Sequence, residues 1–213
     1  MLTAILLGFV LGLRHASDPD HVLAVSALVA RHRRPLLASW IGVAWGLGHS
    51  LTILAVGALI VALHLSVPAR VALGMEGAVG VVLVALGLAN LRTAAGPEEH
   101  AAHGADAAPA REDLRAAVTR AFGVGLVHGL AGSAAVVLLA LAAMPSPAAA
   151  VAYLAVFGVG TIGGMVAISL GVGAPVAWAG RGPGARRWIV AGSGALSLAF
   201  GAWIVWETMA SLA

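Results

Sequence analysis

Between residues 14 and 21 the chain reads Arg14-His15-Ala16-Ser17-Asp18-Pro19-Asp20-His21, with five ionisable side chains in eight positions. Imidazole nitrogens beside carboxylate oxygens are a ligand set for a divalent transition metal such as Ni(II), Co(II), Zn(II) or Mn(II), and tetragonal N,O sites favour Ni(II) or Cu(II). In helical geometry His15, Asp18 and His21 recur at i, i+3 and i+6, a slanting line on one face. With neutral imidazoles the stretch carries −2 from Asp18 and Asp20 and +1 from Arg14, so a dication turns a net −1 into +1. The competing use is an internal salt bridge of Arg14 to one aspartate, with the histidines as hydrogen-bonding glue. There is no cysteine, which removes thiolate ligands, thiol nucleophiles and disulfides. All 12 basic residues are arginines, so Schiff-base chemistry on lysine is excluded as well.

The elements that must carry these residues are set by composition. Of 213 residues, 61% are hydrophobic and 10% charged, against about 25% charged in a soluble domain, and the mean hydropathy is +0.99. The fold class expected is an all-α polytopic membrane protein with no room for a large catalytic head. Aromatic residues at 5% are too few for a nucleic-acid stacking surface. Apolar runs at 2–30, 36–63, 71–91, 120–143, 148–175 and 187–212 predict six transmembrane helices. The first crosses the bilayer only if 2–13 and 22–30 are joined through the polar stretch, which therefore lies near the midplane. Charges at that depth cost about 2.5–3.5 kcal/mol each on insertion scales, so they need pairing, water or an ion. Pro19 cannot donate to the carbonyl of His15 and disfavours helix at Asp18, so the first helix is expected to be interrupted at the motif.

Arginine placement predicts orientation. Ten arginines fall in the connections after spans 1, 3 and 5, and Arg70 alone falls on the other side; the positive-inside rule then puts both termini outside. Residues 94–119, with His100 and His103, read as a flexible cytoplasmic linker between a first three-helix unit (1–93) and a second (120–213). The units resemble one another. Gly12-Leu13-Arg14-His15 matches Gly125-Leu126-Val127-His128, Trp45-Gly46-Leu47-Gly48-His49 matches Phe157-Gly158-Val159-Gly160-Thr161, and Gly80 and Gly87 match Gly194 and Gly201, at offsets of 112 to 114. Three spans per unit make this a 3+3 inverted repeat, an architecture of secondary transporters whose site lies near the midplane on interrupted helices.

Two further histidines join at that depth: His49 midway along span 2, and His128 at the repeat position of His15. Glycines around them allow close helix approach. Ser50, Ser133 and Thr161 could orient ligands through hydrogen bonds, and Arg14 could balance charge in the empty site. Glu76 and Glu207 near span ends read as snorkelling groups, and Trp203 and Trp206 as interface anchors. The G-x-G-x-x-G from Gly158 to Gly163 lies in a span, where it serves helix packing. No phosphate-binding loop is present to power transport.

The stretch from Arg14 to His21 resembles the H-x4-D-H signature of the nickel/cobalt transporter (NiCoT) family, with His15, Asp20 and His21 as its H, D and H and Asp18 as its inner aspartate. Leu47-Gly48-His49-Ser50 resembles the family's second motif. The second half lacks the acidic motif of the larger eight-span permeases, and His128-Gly129-Leu130-Ala131-Gly132-Ser133 is similar to the compact six-span UreH-like high-affinity nickel permeases. The resemblance implies a secondary transporter for Ni²⁺ or Co²⁺ in a bacterial cytoplasmic (inner) membrane. Its metal would be bound by His15, Asp18, Asp20, His21 and His49, with His128 contributing from a third helix. It would need no cofactor beyond the transported ion, and its partners would be the bilayer and nickel-enzyme maturation proteins, with no nucleic acid. The rival readings are metal efflux, an intramembrane His/Asp metalloenzyme of zinc-hydrolase type, and a subunit that hands nickel to a maturation system.

Overall fold

The computed structural model describes residues 2–32, 34–63, 65, 67–96, 111–179 and 183–213, leaving out the side chains of 2–5, 111–113, 133–135, 137–143, 179 and 183. Among the described residues every regular element is a helix: α1 (Leu2–His15), α2 (Pro19–Val29), α3 (Pro35–Leu63), α4 (Ala69–Ala95), α5 (Arg111–Ala143), α6 (Pro147–Ala179) and α7 (Pro183–Leu212). In lipid the backbone has no water to bond, and a helix satisfies every interior N–H within its own segment. Proline opens α2, α3, α6 and α7, the one helical position where its missing N–H costs nothing. Among the described residues α3, α4, α6 and α7 are long and apolar enough to cross a membrane, while α1 and α2 are shorter apolar helices. This is an all-helical, multi-pass membrane architecture.

Residues 16–18 separate α1 from α2, where the proline argument places the interruption. Asp18 is extended (φ −60°, ψ 142°) and stands at the N-cap of α2 with Pro19 behind it. Most boundaries fall within four residues of the sequence expectation, and one differs by more. Helix α5 begins at Arg111, nine residues before the expected start of its span and inside the stretch assigned to the linker. Its first turns, Arg111 to Arg120, are polar but hold three arginines, two alanines, a leucine and a glutamate, which are good helix formers. His100 and His103 lie outside the described residues.

Helix α3 packs along α5 and α6, α1 packs along α6, and α4 pairs with α7, while α2 lies against α4, α6 and α7. Glycines set these approaches. A Cβ on Gly12 would overlap the Phe157 carbonyl, and one on Gly125 the Trp45 carbonyl; one on Gly48 would overlap that of Phe122, and one on Gly160 that of Phe9. Gly80 meets Gly201 and Gly87 meets Gly194 across the α4–α7 seam. Such contacts let backbones touch where lipid gives helices no hydrophobic reason to associate. The larger core cluster joins α2, α3, α4, α5 and α6 through Val25, Ile41, Trp45, Leu83, Ala121 and Met165. Trp40, Trp178, Trp188, Trp203 and Trp206 are exposed, as expected of lipid-facing and interfacial anchors.

Buried Asn90, a lone amide in apolar α4, ties the end of α2 in place. Its Nδ2 donates to the Ala27 carbonyl (2.9 Å) and to Ser193 Oγ (3.1 Å), and its Oδ1 accepts from Arg31 Nε. Ser197 Oγ also donates to the Leu23 carbonyl at 3.3 Å. This end of the bundle, where Arg31 and Arg186 meet, fixes the far end of α2, whose N-terminal turn carries Asp20 and His21.

Candidate metal site

The break between α1 and α2 turns two carboxylates toward two imidazoles. Asp18 Oδ2 lies 2.7 Å from His15 Nδ1, and Asp20 Oδ1 lies 2.9 Å from His21 Nδ1. The first pair spans the break itself. The second is close but lacks hydrogen-bond geometry, and neither ring nitrogen of His21 has a hydrogen-bond partner. A carboxylate on Nδ1 holds the proton there and directs the Nε2 lone pair away, the usual second partner of a metal-ligating imidazole.

Three helices supply the rings. His15 ends α1, His21 stands in the first turn of α2, and His49 is midway along α3; His21 and His49 are buried, at 3% and 0% exposure. Ring centroids are 4.6 Å apart for His15 and His21, 5.0 Å for His21 and His49, and 5.2 Å for His15 and His49. One ring nitrogen from each of the three falls in a group within 4.8 Å, and Asp18, Asp20 and His21 form a second such group. Imidazole nitrogens bound to one ion at about 2.0–2.1 Å stand about 3–4 Å from each other, so modest side-chain rotation brings all three onto a single ion. His15 Nε2 and His49 Nε2 already face one another at 3.1 Å. The slanting line of His15, Asp18 and His21 expected along one continuous helix is replaced by a bent chain whose two ends fold toward each other.

From α5, His128 reaches the same cluster, its ring 5.7 Å from that of His21. Its Nδ1 lies 3.0 Å from the Val124 carbonyl. A carbonyl only accepts, so Nδ1 carries the proton and buried Nε2, which has no partner, presents a lone pair. A Cβ at Gly132 of α5 would come into ordinary contact with the His15 ring, 3.5 Å from its Nε2.

The other expected residues are placed differently. Arg14 is exposed and is not drawn into the histidine group. Ser50 Oγ donates to the Gly158 carbonyl at 3.1 Å, and Thr161 Oγ1 donates to the Phe157 carbonyl at 3.0 Å; both hydroxyls serve backbone rather than imidazole. The side chain of Ser133 lies outside the described residues.

Two aromatic residues join the site that the sequence does not single out. Trp45 stacks on His49 at 4.9 Å with an interplanar angle of 11°, and meets His21 and His128 edge to face at 4.9 and 5.4 Å. Phe157 stands 5.3 Å from His15. A signal for both is present in the chain: Trp45 is one helical turn before His49, and Phe157 is the residue that aligns with Trp45 at offset 112.

The sequence profile of the NicO high-affinity nickel-transport proteins matches residues 1–95, the part that holds both motifs. The urease accessory protein UreH of Bacillus sp. (strain TB-90) is 31% identical over 204 residues, covering 94% of this chain and 90% of that protein. The chain belongs to the NicO family. As a NicO protein it is a nickel/cobalt permease and not an enzyme. No solved structure matches it. The chain has no thiols, and the histidine cluster with its two aspartates is where the described residues bring nitrogen and oxygen donors together.

Proposed function

We propose that this NicO protein moves Ni²⁺, with Co²⁺ as the second choice, through a midplane site made of His15, Asp18, Asp20, His21 and His49, with His128 as the contributor from α5. The observation that carries the reading is the convergence of buried, unpartnered ring nitrogens from separate helices. Isolated core histidines are normally satisfied by hydrogen bonds, because a buried polar atom without a partner costs about 1–3 kcal/mol. Here His21 Nε2, His49 Nδ1 and His128 Nε2 have no hydrogen-bond partner, and His21 Nδ1 has only the Asp20 carboxylate beside it, without hydrogen-bond geometry. A bound cation offsets that cost.

We further propose six spans arranged as a 3+3 inverted repeat, with α1–α2 as one broken crossing. Support comes from reciprocal contacts. The Gly12–Phe157 approach maps onto Gly125–Trp45, and Gly48–Phe122 onto Gly160–Phe9, when each residue is exchanged for its match at offset 112 or 113. Such a repeat suits alternating access, in which one unit rocks against the other around a fixed site. The arginine distribution supports a bacterial inner-membrane location with both termini outside and 94–119 as a cytoplasmic linker. Nickel-enzyme maturation proteins are the partners this reading expects, given that the similar Bacillus protein is called a urease accessory protein.

The test is accumulation of radioactive nickel in proteoliposomes holding wild type, His21→Ala or Asp20→Asn, with Co²⁺, Zn²⁺ and Mn²⁺ as competitors. Saturable uptake by wild type and its loss in both variants is the expected result. Wild-type vesicles that match empty ones would overturn the reading.

A further inference from the structure

A cavity of about 280 Å³ lies between α2, α4, α5 and α7, and its wall includes Asp20, Glu76, Ala131, Trp203, Glu207 and Thr208. Three carboxylates therefore share one hollow: Asp20 from the metal motif, Glu76 from the N-terminal part of α4, and Glu207 from near the end of α7. Glu76 and Glu207 are exposed. They sit at the end of the α4–α7 pair opposite Asn90 and Ser193, and so opposite the arginine-bearing end of the bundle.

Carboxylates alone would mark nothing more than a solvated rim. The second observation is at the inner end. Asp20 touches His21 Nδ1 at 2.9 Å, and His21 is only 3% exposed, with its Nε2 buried and without a hydrogen-bond partner. The cavity thus ends on a carboxylate whose other face meets an open imidazole of the proposed site. Elsewhere the His21 ring is flanked by Trp45, His49 and His128.

We propose that this cavity is the access vestibule for the cation on the side where the arginine distribution places the termini, with Glu76 and Glu207 as its collecting charges and Asp20 as the transfer point to His21. The inference rests on the permease reading above. Two carboxylates at a low-dielectric mouth raise the local concentration of a hydrated dication, an effect that falls with ionic strength. Oxygen donors exchange such an ion readily, whereas imidazoles hold nickel more firmly, so the order from glutamates through Asp20 to histidines draws the ion inward. The charge also selects against anions and metal chelates of net negative charge.

Because the chain has no native cysteine, the vestibule can be read by single-cysteine labelling. The Ala131→Cys variant is expected to react with a membrane-impermeant methanethiosulfonate ammonium reagent added from the terminus side, and Ni²⁺ is expected to slow that reaction. Replacing both Glu76 and Glu207 by glutamine in that background should slow labelling by the cationic reagent about ten-fold at low salt but leave a neutral reagent unaffected. In proteoliposomes the same double replacement should raise the KM for Ni²⁺ about ten-fold, abolish its salt dependence and leave kcat intact. No reaction of the Ala131→Cys variant, or unchanged labelling and KM in the double variant, would overturn the vestibule. Failure of wild-type vesicles to accumulate nickel would instead strike the permease reading, and the labelling result would still decide the vestibule.

Discussion

Helices α1–α2 and α5 carry matching Gly-Leu-x-His segments at their midpoints and yet behave in opposite ways. Where Arg14-His15 is followed by Ala16-Ser17-Asp18-Pro19, the helix stops and restarts; where Val127-His128 is followed by Gly129-Leu130-Ala131-Gly132, α5 runs unbroken from Arg111 to Ala143. The difference is Asp-Pro. It removes one backbone donor, holds Asp18 extended, and lets each aspartate reach the imidazole beside it. The unbroken partner has no carboxylate within two turns of its histidine and satisfies His128 from its own backbone at Val124. One arm thus brings charge and two rings, and the other brings a single neutral ring in a fixed tautomer.

This contrast can be broken most severely at His21, the ring that contacts His15, Trp45, His49 and His128 together. His21→Ala should lower nickel affinity by at least about 100-fold, since losing a ligand exceeds the 10–100-fold typical of an outer partner; isothermal titration of the purified protein measures it. Pro19→Ala should let α1 and α2 approach the continuity of α5. Helix content by circular dichroism is expected to hold or rise while nickel affinity falls about 10- to 100-fold, as the carboxylates lose their hold on the rings. Unchanged affinity would mean that the break is incidental.

His128→Ala tests the quieter arm. An affinity loss of about ten-fold is expected, smaller than at His21 because no carboxylate supports this ring; a loss equal to that of His21→Ala would erase the distinction between the arms. The smallest effect is expected at Trp45→Phe. Stacking on His49 is kept in part, so affinity should change by no more than about ten-fold, in line with the 0.5–1.5 kcal/mol of an aromatic pair. The indole is also a reporter, and nickel titration should quench tryptophan emission in wild type more than in this variant.

Part of the site is legible in the sequence because its chemistry is local. The interruption follows from a single proline, and the donors within reach of each other across it are near neighbours in the chain. His49 and His128 are legible for a different reason: a polar ring halfway along an apolar span is costly unless something uses it. The hydroxyls of Ser50 and Thr161 are less legible, since a residue type that could support an imidazole can also donate to a carbonyl of a neighbouring helix or of its own, as both do. Trp45 escapes assignment because in an apolar span an indole is indistinguishable from packing until its neighbours are known. Asn90 hides in the same way, as one amide whose partners lie 63 and 103 residues away.

By itself the sequence determined the membrane class, the helical elements, the position of the break and which nitrogen- and oxygen-bearing side chains stand on either side of it. Each of these depends on composition or on residues within one or two turns. Tertiary structure alone decided how closely the rings of α1, α2, α3 and α5 approach, that Arg14 stays out of their cluster, and that Asp20 faces a cavity with Glu76 and Glu207. Those outcomes depend on which glycines let which backbones touch, and the approach of two helices far apart in the chain is a property of packing that no local segment encodes.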